Sequence, residues 1–358
     1  MKAFAVINPI LEAIKYFYLK ANNTCIRQKI DNIIRNREVT AEQAEAIMHP
    51  AMGLEKFLDE NIVMPSCELF GDIPCIEGAD SLNTCIAALL TDRALRSEIR
   101  NIDEAEQLLL SQTQPQAISN ITMNLTSANI HAAAEAHSYN GLLSVLEGLP
   151  LTNDSRWKIL FVLQHYEQYV RLICNSLRSA VGLIEANPQL YAYALKDFEH
   201  DYSDISDIIE VIEDENGVDT DSKDGRVYPT VIGSNSFTVH TGESDGTRTV
   251  YYVGLGVRAI GRLPLRGIEK MDYDEAFRIL ADKNRMKIMQ LLCGEQAYGL
   301  ELAEKLKLSP NTISHHMSKL QKCGLVISSF EGNRVYYRAN KAAVDEFIRM
   351  LSKKLRVK

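Results

Sequence analysis

No run of 18 apolar residues occurs in the 358-residue chain, so no membrane-spanning helix is expected. The opening MKAFAVINPILEAIKYF has a lysine and then an interrupted apolar pattern. It lacks the apolar core and small-residue cleavage site of an export signal, so a cytoplasmic location is expected. No C-x-x-C occurs. The seven cysteines (Cys25, Cys67, Cys75, Cys85, Cys174, Cys293 and Cys323) are odd in number and scattered, as free thiols in a reducing compartment would be. The spacing of Cys67, Cys75 and Cys85 fits no common zinc motif, and His131 and His137, six apart, would point to different faces of a helix. G-x-S-x-G, H-E-x-x-H and phosphate-loop patterns are also missing.

Two partial motifs fail on inspection. Counted from Asp219, a calcium loop needs Gly sixth and Glu twelfth, but Asp224 and Thr230 stand there. GLGVRA (254–259) fits G-x-G-x-x-A, yet Pro264 interrupts the helix a dinucleotide would need, and no alternating strand–helix pattern surrounds it. No catalytic residue, metal ligand or cofactor is therefore expected, and nothing in the motifs asks for an enzyme.

What is present is an ordinary globular composition, 46% hydrophobic and 24% charged, with a net charge of −8. The charge is unevenly spread. Residues 275–358 hold 16 Lys+Arg against 8 Asp+Glu, whereas residues 1–274 hold 23 against 39. A basic module behind an acidic body points to a polyanion-binding end.

Residues 3–62 read as helices, with Ile10, Ile14 and Phe17 on one face and TAEQ (40–43) as a capping box. Pro65, Gly71 and Pro74 mark a loop at 64–78. Helical patterns cover 79–112 and 116–146, broken by TQPQ, and 154–187 supports one long helix or two shorter ones. A short helix is expected within 188–212 and an acidic surface loop at 213–226. VYPTVI, SFTVH and TRTVYYVGL are β-rich, and TGESDG between the last two suggests a hairpin. GRLPLRG (261–267) reads as a boundary. The fold class predicted is mainly α: a large helical N-terminal region (1–226) for sensing or dimerisation, a β-rich segment and linker (227–267), and a C-terminal α+β domain (268–358).

That last domain carries the chemistry. In LELAEKLKLSPNTISHHMSKLQK (300–322), Leu300, Ala303 and Leu306 form the stripe of one helix and Leu308 closes it. Ser309 caps the next helix, and Pro310 suits its first position because that N–H is unpaired anyway. Ile313, Met317 and Leu320 share a face, and Cys323 and Gly324 end the helix. Two helices joined by a tight turn, followed by GLVISSF and RVYYRAN around EGN (331–333), make a winged helix. At 100° per residue His316 lies at the edge of the buried stripe, while His315 points outward with Asn311, Ser318, Lys319 and Lys322. Neither histidine has a ligating partner three or four residues away. Asn, Ser and His can bond base edges and Lys can bond phosphates. The expected DNA-binding residues are Ser309, Asn311, Thr312, Ser314, His315, Ser318, Lys319, Lys322 and, at the wing tip, Arg334.

The segments LADKNRMKIMQLL (280–292), LELAEKLKLSPNTISHHMSKLQKCGLV (300–326) and EGNRVYYRAN (331–340) resemble the ArsR-type winged-helix repressors. Leu280, Ala281, Asp282, Arg285, Ile288, Ser309, Ser314, His316, Leu320, Gly324, Leu325, Val326, Tyr336, Tyr337 and Arg338 fall on that family's pattern. The resemblance covers about 80 residues of the chain. It implies a homodimer on a double-stranded, palindromic DNA operator, with helices near 272–282 and 341–356 pairing the protomers. Metal-sensing members carry a cysteine pair where this chain has Ala297 and Gly299, and the last helix lacks the histidine ligands of other members. The resulting expectation is a transcriptional regulator, most simply a repressor, whose N-terminal region senses an unidentified small-molecule effector. The rival expectation is an enzyme or protein-binding body in 1–260 with an appended regulatory winged helix.

Overall fold

The structure, a computed structural model, describes residues 2–65, 67–76, 82–125, 138–203, 205, 225–240, 249–261, 263, 273–294, 296–331 and 334–355. The chain divides into two compact units, one of residues 1–34 and 39–263, the other of 264–358 with 35–38. Both are mainly helical. No described helix is long and apolar enough to cross a membrane.

The first unit begins with a short strand, β1 (Lys2–Ala3), then α1 (Pro9–Ala21), α2 (Ile26–Asn36) and α3 (Ala41–Asn61). Asn8 caps α1 through its side-chain oxygen, and Pro9 takes the first helical position. The capping box at Thr40 forms: Gln43 N donates to Thr40 Oγ1 at 3.2 Å, and Thr40 N donates to Gln43 Oε1 at 3.1 Å. Next come α4 (Ile86–Arg96), α5 (Ile102–Leu110), α6 (Gln114–Leu125), α7 (Tyr139–Gly148), α8 (Asn153–Gln164), α9 (Tyr166–Ala186) and the single turn α10 (Phe198–Asp201). The expected helix over 79–112 is two helices, parted where Glu98 takes a left-handed φ of 58°. TQPQ opens α6 rather than merely interrupting a pattern, because Pro115 sits in the first turn, where its missing N–H costs nothing. The 154–187 pattern is also two helices, broken at His165, whose backbone (φ −110°, ψ 35°) is not helical. Apolar faces of α1, α3, α4 and α5 pack around α9, burying Ile10, Phe17, Leu54, Leu109, Ile173 and Leu177.

The β-rich segment belongs to this same unit. Strands β2 (Arg226–Thr230), β3 (Phe237–His240) and β4 (Val250–Gly254) join β1 in a sheet of order β1-β2-β4-β3. The expected pairing across TGESDG is present, with His240 opposite Val250 and antiparallel strands. Sequence reasoning missed that β1, β2 and β4 run parallel. A strand of two residues at the start of the chain, paired some 220 residues later, leaves no local signal. The short α11 (Val257–Gly261) follows β4. The acidic loop at 213–226 lies largely outside the described residues, as do His131 and His137.

Two buried polar clusters tie helices to this sheet. Glu12 accepts from the backbone N–H groups of Val231 (2.8 Å) and Ile232 (2.7 Å), beyond the end of β2. Burial raises the pKa of its carboxyl, against the pull of those bonds. Lys15 donates to Ser236 Oγ and Thr238 Oγ1, both at 3.1 Å, and burial lowers its ammonium to about 8. On α4, Asp92 meets His240 Nδ1 at 2.5 Å and Arg96 Nε at 2.7 Å. Burial opposes ionisation of Asp92, but these two partners hold its carboxyl below the ordinary range.

The second unit contains α12 (Tyr273–Leu280), α13 (Lys283–Gly294), β5 (Ala297–Tyr298), α14 (Gly299–Leu306), α15 (Pro310–Lys322), β6 (Val326–Glu331), β7 (Arg334–Ala339) and α16 (Lys341–Leu355). This is a winged helix: three helices against a sheet of order β5-β7-β6, flanked by α12 and α16. Its own core gathers Ile288, Leu292, Leu302, Ile313, Met317, Leu320, Leu325 and Phe347. The expected stripe of α14 is corrected at one position. Leu300 is 62% exposed, and Leu302 takes the buried place instead, completely covered. Leu300 lies in the first turn of α14, displaced from the core-facing row of Leu302 and Leu306.

Candidate nucleic-acid interface

α15 is placed by contacts that the sequence dictates locally. Lys307 closes α14 in a left-handed conformation (φ 54°), and Leu308 N reaches back to Ala303 O at 3.0 Å. Ser309 then caps α15, accepting from Thr312 N at 3.1 Å, and its hydroxyl lies 2.8 Å from Thr312 Oγ1. Three fully buried side chains on one face, Ile313, Met317 and Leu320, seat the helix. At its far end Cys323 caps and Gly324 turns the chain with a φ of 76°. Asn340, just after β7, donates to Gly324 O at 2.9 Å, fastening the wing to the helix end. Upstream, Asp282 caps α13 through Asn284 N and Arg285 N, both at 3.0 Å, and Arg285 Nε donates to Ile279 O at 2.5 Å. These two family-pattern residues thus act on backbone.

This seating sorts the sequence-predicted residues. Asn311, Ser314, His315, Ser318 and Lys319 are exposed along α15, and Ser309 and Thr312 sit at its start, partly committed to the cap. Lys322 is the last residue of α15. Arg334 opens β7 opposite Glu331, at the wing turn. The side chains of Lys322 and Arg334 lie outside the described residues. The two histidines part as expected in exposure: His315 is exposed and His316 only 7% so. One detail differs. Among the described residues neither ring nitrogen of His316 has a hydrogen-bond partner, so it is a buried ring with nothing to bond. Burial lowers its pKa below the ordinary 6.5, with the Asp282 carboxylate pulling the other way.

Sequence reasoning also missed a cleft of about 310 Å³ beside the start of α15. Tyr298, Gly299, Leu300, Pro310, Ile313, Ser314, Met317 and Tyr337 line it. Its one advance signal was Leu300, an apolar residue in a first helical turn. β5 builds its wall, pairing Ala297 with Tyr337 and Tyr298 with Tyr336. Among the described residues no group of three or more His, Cys, Asp or Glu could hold a metal ion.

Known proteins match this unit. The family profile "Bacterial regulatory protein, arsR family" fits residues 282–328, from the Asp282 cap into the first wing strand. The arsenical resistance operon repressor of Staphylococcus aureus is 37% identical over 86 residues, which are 23% of this chain and 82% of that protein. This chain belongs to the ArsR family. The transcriptional regulator CmtR of Mycobacterium bovis is 40% identical over 60 residues, 17% of this chain and 51% of CmtR. CadC of Listeria innocua, a cadmium resistance regulatory protein, is 40% identical over 62 residues, 17% of this chain and 52% of CadC. The chain thus spans about half the length of those two relatives. Among solved structures, an ArsR-like transcriptional regulator from Rhodococcus sp. RHA1 is 32% identical, covering 23% of this chain and 76% of that one with a TM-score of 0.22. The ArsR membership rests on the second unit, and its relatives mark the chain as a DNA-binding regulator. The first unit lies outside the residues matched by the family profile.

Proposed function

We propose that this ArsR-family chain binds a palindromic operator as a homodimer, most simply as a repressor, and that its first unit senses a small-molecule effector. The observation that carries this is the row Asn311, Ser314, His315, Ser318 and Lys319, exposed on a helix seated by Ile313, Met317 and Leu320. Amide, hydroxyl and imidazole groups suit base edges, and Lys319 with Lys322 and Arg334 suits phosphates. The net +8 of residues 275–358 supports the same reading. For the twofold, α12 and α16 pack through Phe277 and Phe347, ring centroids 4.8 Å apart, while Phe277, Ile348 and Leu355 remain exposed. An effector in the first unit would change operator affinity only through unequal affinity for the competent and incompetent states. Ala297 and Gly299 stand where metal-sensing members have cysteines, so the effector is not read through that thiol site.

Selection of bound duplexes from a random pool tests this, repeated after adding cell metabolites. An inverted repeat should be enriched, and its affinity should fall linearly on logarithmic axes as salt rises, because phosphate contacts release counterions. Failure of the dimeric chain to enrich any sequence at low salt would overturn the reading. A second reading, an enzymatic body in the first unit, has one observation in its favour: Lys15, with its lowered pKa, lies 3.1 Å from the Ser236 hydroxyl. Both groups also close the contact between α1 and the sheet, which is a structural task.

A further inference from the structure

From α8 into α9 an uncovered ridge faces solvent. Trp157 is 70% exposed, Phe161 52% and Leu172 47%, although each is a residue that burial would stabilise. The ridge is continuous across the break at His165. The Phe161 ring lies 4.5 Å from the His165 ring and 6.3 Å, edge-on, from Tyr169. Backbone bonds also bridge the break, His165 N to Phe161 O and Tyr169 N to His165 O, both at 3.1 Å. Opposite it, Ile159, Val162, Val170, Ile173 and Leu177 are buried in the core, so this is the outer face of a well-seated helix pair.

The crest of the ridge carries no charge, and its flank carries one exposed charge of each sign, Glu167 and Arg171, four residues apart. Its outward positions read Trp157, Phe161, His165, Gln168, Leu172 and Asn175. Three cations beside it are held by protein partners, while Arg171 stays 57% exposed, 3.7 Å from Glu106. Lys158 Nζ donates to Glu68 O at 2.6 Å, and Arg156 donates to Leu146 O and Leu149 O. Arg178 pairs with Asp103 and Glu106. Yet residues 1–274 carry a net charge of −16.

We infer that this ridge is a self-pairing face that a second copy of the chain covers. It rests on the dimeric part of the proposed function. An isologous interface sets a patch against itself, so any excess of one charge would be doubled, and a neutral ridge is what two acidic bodies need to meet. The extent fits. Residues 157–175 span roughly 27 Å at 1.5 Å per residue. Large aromatic side chains carry roughly 150–250 Å² each. At the exposures above, with Leu172 and the polar positions between, the ridge offers on the order of 600–800 Å², close to the ~800 Å² per partner of a specific interface. Trp157, Phe161 and Leu172 make up about half of that area, the size of the largest apolar patch on a typical monomer, which is often functional.

Trp157 is the only tryptophan, so its emission reports this face alone. The full-length chain is to be followed by sedimentation and by Trp157 emission and acrylamide quenching across a dilution series. The double variant Phe161→Glu, Leu172→Glu runs beside it, circular dichroism reporting its fold. Both sites are exposed, so the variant should keep its helical spectrum. The expected result is a blue-shifted, poorly quenched Trp157 in the associated chain, becoming red-shifted and at least about 5-fold more quenchable on dilution and in the variant. A dimer whose Trp157 is already fully quenchable would overturn the inference while leaving the dimeric reading intact. A Trp157 shielded equally in monomer and dimer would overturn it too. A chain monomeric at all concentrations would remove both. Should the variant misfold, dilution of the unaltered chain still decides.

Discussion

His316→Leu is the most informative single change in the DNA-binding unit. The ring is 7% exposed, with neither nitrogen bonded among the described residues. A neutral imidazole has one donor and one acceptor, and leaving a buried polar group unsatisfied costs about 1–3 kcal/mol. Leucine is of similar size, removes both polar atoms and keeps contact with Ile313 and Leu320. The expected gain is on the order of 1–2 kcal/mol, and each 1 kcal/mol raises Tm by about 4–8 °C in a domain of this size. His316→Ala loses packing instead. Its cost is that of a small cavity, not of a lost hydrogen bond, since the structure has no such bond to lose. The wild type should also show a pH signature. The folded ring protonates less readily than the unfolded one, so the unfolded state takes up the extra proton first. The stability tied to His316 is whole above about pH 6.5, falls as pH drops below that value, and levels off below the folded pKa. Thermal melts of the C-terminal unit between pH 5 and 8 test both effects. If His316→Leu lowers Tm, or if it leaves the slope below pH 6.5 unchanged, the buried neutral ring is refuted.

His315→Ala should leave melting nearly unchanged, within about 0.5 kcal/mol for an exposed site. It should weaken operator binding by about 1–3 kcal/mol if it reads a base edge, measured by titration of the selected duplex. Asp92→Ala should destabilise the first unit by about 3–5 kcal/mol in urea unfolding, because Arg96 and His240 are left buried around a missing carboxylate. Operator affinity should not respond to chelators or to micromolar zinc, cadmium or arsenite, given Ala297 and Gly299. A stoichiometric metal that releases DNA would contradict this.

Much of the second unit was legible because its signals are local. Ser309 and Pro310 announce a helix start, Ile313, Met317 and Leu320 repeat at helical spacing, and EGN joins two β-rich runs. Those features act within a few residues, so the sequence alone determined the winged helix and which side of α15 faces out. Leu300 was misplaced because a short helix has too few turns for its periodicity to separate neighbouring rows. In the first unit the sequence determined the capping box at Thr40, the shared face of Ile10, Ile14 and Phe17, and the β3–β4 pairing. Tertiary structure alone decided the rest, for contacts distant along the chain leave no periodic trace. Lys2 and Ala3 become a parallel strand only against Arg226 and Val227, and Glu12 is held by N–H groups more than 200 residues away. Likewise, an aromatic at helical spacing reads as core in any sequence. Only the packing of α8 and α9 on their other face showed that Trp157 and Phe161 are left in solvent.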